Sequence, residues 1–257
     1  MNKPLILVTN DDGISASGIR NLIRIMNDIG DVFVVAPDRC QSGMGHAITI
    51  EKIISCDQID VHDGSQIEYV SSGTPADCVK LALNELLPRK PDLCVAGINH
   101  GSNSSINVLY SGTMSAAIEA SLSGVPSIGF SLLDNSKDAD FSESESYIRK
   151  ITKLVLEKKI KTNICFNVNI PKTKLEEKIK GVKICRQANA NWQEEFRKKQ
   201  GPNGEISYWL TGKFINYDKG RDTDEWALSN HYVSIVPIQH DLTAHNLISN
   251  LKESFNE

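Results

Sequence analysis

The chain has 257 residues, 40% of them hydrophobic and 23% charged, with a formal net charge of -4. That length supports one large domain or two modest ones, and the mildly acidic balance lacks the broad basic field of a nucleic-acid binder. No apolar run approaches the ~20 residues that a membrane helix needs, and six scattered cysteines without a Cys-x-x-Cys pair read as reduced thiols, neither a disulfide framework nor a zinc site.

Met1-Asn2-Lys3-Pro4 leads straight into a strand, so the mature chain is expected to begin at residue one and to be cytoplasmic. Leu5 to Thr9 is short and uninterrupted, as in a strand buried on both faces of a parallel sheet. Asn10-Asp11-Asp12-Gly13 follows at once. In open α/β sheets ligands bind outside the carboxyl ends of the strands. Two adjacent carboxylates repel there unless the site holds a cation or a shared proton. Oxygen-only donors favour magnesium, manganese or calcium over zinc. Taken alone, the tetrad also suits a turn or a helix cap.

Further strands are expected over Val32 to Ala36, Leu93 to Ala96 and Ser127 to Leu132, and helices over Ser17 to Ile29, Pro75 to Leu87, Thr113 to Leu122 and Glu143 to Leu156. Such alternation predicts an α/β fold, a Rossmann-like three-layer parallel sheet with right-handed crossovers. Ile48 to Val70 fits less well and reads as an inserted β excursion. After Pro171 the pattern changes. Beyond the charged stretch Lys172 to Lys180 come short strand-like runs, Val182 to Arg186, Ile206 to Leu210 and Tyr232 to Pro237. We divide the chain into an α/β catalytic domain, 1–171, and a β-rich extension, 172–257, too thin to fold alone. The basic clusters Lys158-Lys159 and Arg197-Lys198-Lys199 read as solvated faces.

Three more segments place polar side chains after a strand. Ala36-Pro37-Asp38-Arg39-Cys40-Gln41-Ser42-Gly43 offers a hydroxyl from Ser42 and close backbone approach at Gly43, although serine in a loop also reads as a cap. Gly97-Ile98-Asn99-His100-Gly101-Ser102-Asn103 brings Asn99, whose amide oxygen suits a hard cation, and Asn103, a donor to an anion; a plain turn fits the same residues. Tyr110-Ser111-Gly112-Thr113 opens an Ala-rich helix, where free amides and two hydroxyls form a phosphate site or an ordinary cap. What favours function is convergence of these segments at strand ends.

With these motifs in order the chain resembles the SurE (survival protein E) family of metal-dependent 5′-nucleotidases. The resemblance also takes in Gly73-Thr74-Pro75-Ala76-Asp77, Asn167-Val168-Asn169, Tyr208-Trp209, Asp222-Thr223-Asp224 and Asp241-Leu242-Thr243-Ala244, and so nearly the whole chain. It implies one divalent cation per subunit, magnesium or manganese, held by Asp11, Asp12, Ser42 and Asn99. It further implies hydrolysis of nucleoside 5′- and 3′-monophosphates, with short polyphosphate a further substrate, and a homodimer or homotetramer that exchanges C-terminal elements. Ser105 and Ala120 stand where the family commonly has glycine, which touches loop shape more than ligation.

The chemistry expected is metal-assisted phosphomonoester hydrolysis. Asp11 or Asp12 also takes a proton from water, Gly43, Asn103, Ser111, Gly112 and Thr113 hold the substrate phosphate, and His46 is the nearest acid for the leaving alcohol. An aspartyl-phosphate intermediate at Asp11 ranks lower because Asp11 does not open an Asp-x-Asp arrangement. Neither a third glycine after Gly43-Met44-Gly45 nor a Gly-Lys-Ser/Thr loop appears, which argues against NAD or ATP as cofactor. A non-catalytic nucleotide or metal sensor is the alternative from another class. Trp192, Trp209 and Trp226 offer faces for a base, although interface or core roles suit aromatic residues better. Stable contacts with nucleic acid or membrane are not expected.

Overall fold

A computed structural model describes residues 3–60, 64–136, 138–158, 164–173 and 178–255. Parts of two charged segments, at Lys159 and within 174–177, lie outside the described residues, as do 61–63 of the segment read as a β excursion.

The order is β1 (Leu5–Thr9), α1 (Ser17–Asn27), β2 (Asp31–Pro37), β3 (Cys56–Ile59), β4 (Ile67–Ser71), α2 (Pro75–Leu81) and β5 (Leu93–His100), then α3 (Gly112–Leu122), β6 (Ser127–Leu132), α4 (Ser142–Lys158) and β7 (Cys165–Ile170). The last part holds β8 (Val182–Ile184), β9 (Ala190–Gln200), β10 (Ile206–Asn216), α5 (Asp224–Ser229), β11 (Val233–Ile238) and α6 (His245–Phe255). The main sheet runs β3-β4-β2-β1-β5-β6-β7-β11-β8. Its central strands are parallel, while β3 and β11 run antiparallel to β4 and β7. The fold is therefore a Rossmann-like α/β layer structure. The stretch read as a β excursion supplies β3 and β4, which extend this sheet, β4 in parallel with β2.

Two apolar layers explain why the central strands read as continuous hydrophobic runs. On one face Ile6, Val8, Val34 and Val95 meet Ile19, Leu22, Ile23 and Met26 of α1 and Ile148, Ile151 and Val155 of α4. On the other, Leu5, Leu7, Val35 and Cys94 meet Cys78 and Val79 of α2 and Ala116 and Ala120 of α3. The helix expected to end at Leu87 is α2 followed by a π-helical turn, Ala82–Leu86. Its start is a capping box: Asp77 N donates to Thr74 Oγ1 at 3.1 Å and Thr74 N to Asp77 Oδ2 at 2.9 Å, with Pro75 in the first turn.

The chain leaves β1 for β2 and β4 on one side, then returns to β5 on the other. The topological switch therefore lies between β1 and β5, where a crevice is expected. Outside the main sheet, β9 and β10 form an antiparallel hairpin of eleven residues a strand. Trp192 opposes Phe214, Phe196 opposes Leu210 and Tyr208 opposes Lys198, so the apolar side chains share one face. Phe196 is 66% and Tyr208 64% exposed. The helix α6 buries none of its residues. Among the described residues no helix is long and apolar enough to cross a membrane, and all six cysteines are free.

A candidate active site at the strand ends

Asp11 and Asp12 leave the end of β1 in a turn closed by Asn10, whose Nδ2 donates to Gly13 O at 2.9 Å. The backbone of this turn fixes its neighbours. Gln41 N donates to Asp11 O at 2.7 Å and Ile14 N to Pro37 O at 2.9 Å, stapling the loop with Ser42 beside the carboxylates. From the opposite side comes the start of α3. Thr113 Oγ1 donates to Asp11 Oδ1 at 2.5 Å. A Cβ at Gly112 would stand 2.6 Å from Asp11 Cβ, so only glycine admits the helix start this close to the carboxylate.

Asn99 arrives on β5 past a register irregularity between Ala96 and Asn99, which re-aims the strand end. Its Nδ2 donates to Gly101 O at 2.9 Å, leaving Oδ1 for another partner. Asp11, Ser42, Gly43, Asn99, Asn103 and Ser111 line one cavity of about 470 Å³. Asp12 is reached through the neighbouring backbone: His100 N donates to its Oδ2 across a long 3.4 Å.

Asp11 is buried, and that burial raises its pKa to about 6 against the pull of the Thr113 hydroxyl, with the Asp12 charge adding to the rise. Burial likewise raises Asp12, opposed by the His100 amide. Among the described residues neither lysine nor arginine pairs with either acid. No cluster of three His, Cys, Asp or Glu side chains forms among the described residues, and the oxygen donors that share the cavity with Asp11 include Ser42 and Asn99. Two uncompensated carboxylates with hydroxyl and amide oxygens fit a hard divalent cation.

The remaining expected residues fall into three groups. Ser111 Oγ caps α3 by accepting from Met114 N at 3.0 Å, and its proton stays available for a second oxygen. Thr113 spends its hydroxyl on Asp11, so only its backbone remains for an anion. Asn103 is anchored from behind: its Nδ2 donates to Ser131 Oγ at 2.8 Å, its N to Asn169 Oδ1 at 2.8 Å, and its carbonyl accepts from Asn167 Nδ2 at 2.7 Å. His46 is not brought to this cavity. Its Nε2 lies 2.9 Å from Glu119 Oε2, Lys80 holds the same carboxylate at 2.7 Å, and the ring lines a separate apolar cavity. The Glu119 carboxyl sits below its usual range, first through the His46 bond. His100 is the histidine that lines the main cavity, its Nε2 3.1 Å from Ser17 Oγ.

Sequence reasoning missed Glu225, Asn107 and Phe214, which also line the cavity. Glu225 reads as an ordinary acid in the first turn of a helix, and Phe214 as one aromatic in a polar hairpin; neither pattern marks a site. Ser105 explains one departure from the family pattern. Its φ of +52° is a left-handed conformation that favours glycine. Its hydroxyl donates to Ala188 O at 2.9 Å and Ala190 O at 3.2 Å, tying the root of the arm to the loop after β5. The fully buried Asp224 reinforces the tie, accepting from Ser105 N, Ala188 N and Glu225 N at 2.8, 2.9 and 2.8 Å.

These features define a class: Rossmann-like α/β proteins with an acidic, oxygen-lined crevice where the strand order reverses. A sequence model of the family described as Survival protein SurE matches residues 6–194. The chain belongs to the SurE family. A protein of Christiangramia forsetii named 5′-nucleotidase SurE is 62% identical over 250 residues, covering 97% of this chain and 96% of its own length. One of the same name from Flavobacterium psychrophilum is 61% identical over 251 residues, covering 98% and 97%. The crystal structure of SurE protein from Aquifex aeolicus superposes with a TM-score of 0.83 at 37% identity, over 98% of this chain and 100% of that one.

Proposed function

We propose that this protein is a divalent-metal-dependent 5′-nucleotidase, releasing phosphate from nucleoside 5′-monophosphates and also acting on 3′-monophosphates and short polyphosphate. The observation that carries this reading is the meeting of Asp11, Ser42 and Asn99 in one cavity beside the start of α3. The names of the relatives, 5′-nucleotidase SurE, support the same activity. Asp11, Asp12, Ser42 and Asn99 would hold one cation, magnesium or manganese. When bound, it would screen the phosphate charge and acidify a water.

The chain's own groups do the rest. The Thr113 hydroxyl fixes the orientation of the Asp11 carboxylate. Free amides at the start of α3 and the Ser111 proton bind phosphoryl oxygens as their charge grows in the transition state. Asn103, locked by Ser131 and Asn169, keeps the loop after β5 against the anion. The bare apolar faces of the arm and of α6 support a homodimer or homotetramer. A cytoplasmic location agrees with the free thiols.

The test is phosphate release from 5′- and 3′-mononucleotides and short polyphosphate with each divalent metal, in wild type and Asp11→Asn. Loss of about 10³-fold or more in kcat is expected for the variant, with folding retained, because it removes a charge that acts on the transition state. Equal rates would end the assignment.

A further inference from the structure

The cavity is larger than a phosphoryl group requires, and at about 470 Å³ it falls in the range of pockets that enclose whole small-molecule ligands, roughly 300–1,000 Å³. Elements outside the strand ends build the additional wall. From the arm come Trp192 and Phe214, and from the first turn of α5 comes Glu225.

The Trp192 ring is held in place. Its Nε1 donates to Asn107 Oδ1 at 2.8 Å, and Phe214 meets it edge-on with ring centroids 5.5 Å apart. An indole fixed at its polar end and braced at one edge presents a ready platform for a flat heterocycle, and base stacking on aromatic rings is tolerant of base identity. Glu225 supplies the complementary polar group. Ser104 Oγ donates to its Oε1, Ser102 Oγ lies 2.5 Å from Ser104 Oγ, and Oε2 carries no hydrogen bond among the described residues. A carboxylate oriented through one oxygen and open at the other accepts hydrogen bonds from a sugar hydroxyl.

We propose that Glu225 and Trp192 form the nucleoside subsite of this cavity, Glu225 accepting the ribose hydroxyls and Trp192 carrying the base. The inference rests on the nucleotidase reading and deepens it: the phosphate end sets the reaction, and the arm with α5 sets the preference for a ribonucleotide over a bare phosphate ester. Burial raises the Glu225 carboxyl above its ordinary range, with the Ser104 bond pulling the other way and the Asp224 charge adding to the rise.

The experiment compares kcat/KM for adenosine 5′-monophosphate, its 2′,3′-dideoxy analogue and ribose 5-phosphate, in wild type, Glu225→Ala and Trp192→Leu. Ratios between substrates cancel a general loss of active protein. Wild type is expected to favour the ribonucleotide over the dideoxy analogue about 10- to 100-fold, the range of a charge-assisted hydrogen bond. Glu225→Ala should reduce that ratio to within about twofold, and Trp192→Leu should cut the preference for the nucleotide over ribose 5-phosphate about tenfold, the scale of one stacked base. Unchanged ratios in both variants overturn the subsite. If Glu225→Ala does not fold, Glu225→Gln, which keeps the shape and removes the charge, takes its place. Should wild type release no phosphate from any of the three, the nucleotidase reading fails, and titration calorimetry with adenosine 5′-monophosphate decides the subsite. Binding by wild type that is lost in the variants keeps it; no binding, or equal binding, removes it.

Discussion

Around Asp11 the polar side chains of Asn103, Ser104, Ser105, Ser111 and Thr113 are buried and each makes a hydrogen bond. Along the β9–β10 hairpin the proportions reverse, with Phe196, Tyr208 and Leu210 largely exposed on one face. Buried polar groups without partners cost several kcal/mol, so the crevice holds a single arrangement. Beyond Trp192, which Asn107 holds at the cavity, the hairpin has no such constraint within one chain and is kept by its own ladder and by its root. The proposed chemistry therefore sits in the region that cannot shift, and the proposed association on the apolar face of the hairpin beyond Trp192 and Phe214.

Substitutions in the two regions should separate these roles. Gly112→Ala puts a methyl into Asp11, and displacement of about 1 Å should lower phosphate release about 100-fold while costing about 1–3 kcal/mol of stability. Wild-type turnover by this variant would show that the close approach is not needed. On the arm, Phe196→Ser should leave turnover per subunit within about twofold and chain stability within about 0.5 kcal/mol, as surface changes usually do, yet shift the protein to a smaller species in size-exclusion chromatography with light scattering. Turnover falling as far as in the Gly112 variant would erase the distinction.

The root of the arm lies between the extremes. Ser105→Ala keeps the left-handed backbone and loses both hydroxyl bonds, which should cost about 1–2 kcal/mol in denaturant titration; Ser105→Gly should recover part of this because glycine adopts that φ freely. The smallest effect is expected at Glu145, remote from both regions. Bonds from Arg24 and Arg149 hold its carboxyl down at about 2. A depressed carboxyl pKa adds stability above the unfolded value near 4.5, and the benefit disappears as pH falls toward 2. Glu145→Gln should therefore lower the denaturation midpoint at pH 7 by the equivalent of about 0.5 kcal/mol, and less at pH 3 or in high salt, since the pair is at the surface.

The central strands were legible because burial on both faces leaves continuous apolar runs; the limits of β1 and β6 match the expected ranges. β7 was not read as a strand because Asn167 and Asn169 interrupt its pattern, and only the structure reveals that these asparagines face Asn103. β9 escaped for the opposite reason: Ala190–Gln200 has ten exposed residues in eleven, so no core imprints an alternation on it. At the site, each strand-end motif was visible, and the meeting of Asp11, Ser42 and Asn99 followed from the parallel topology. The Thr113 bond to Asp11, the diversion of His46 to Glu119 and the presence of Glu225 depend on distances between elements remote in sequence, which a pattern of residue types does not carry.

Asp224 gives the cavity a mechanical property. Its carboxylate gathers the amides of Ser105, Ala188 and Glu225, which belong to the loop after β5, the arm root and the start of α5. The wall of the cavity that carries Ser104 and Glu225 is thus fastened, through three elements, to one buried point. A wall set in advance gives an inhibitor a fixed surface to match, so one shaped to it gains most from being made rigid beforehand.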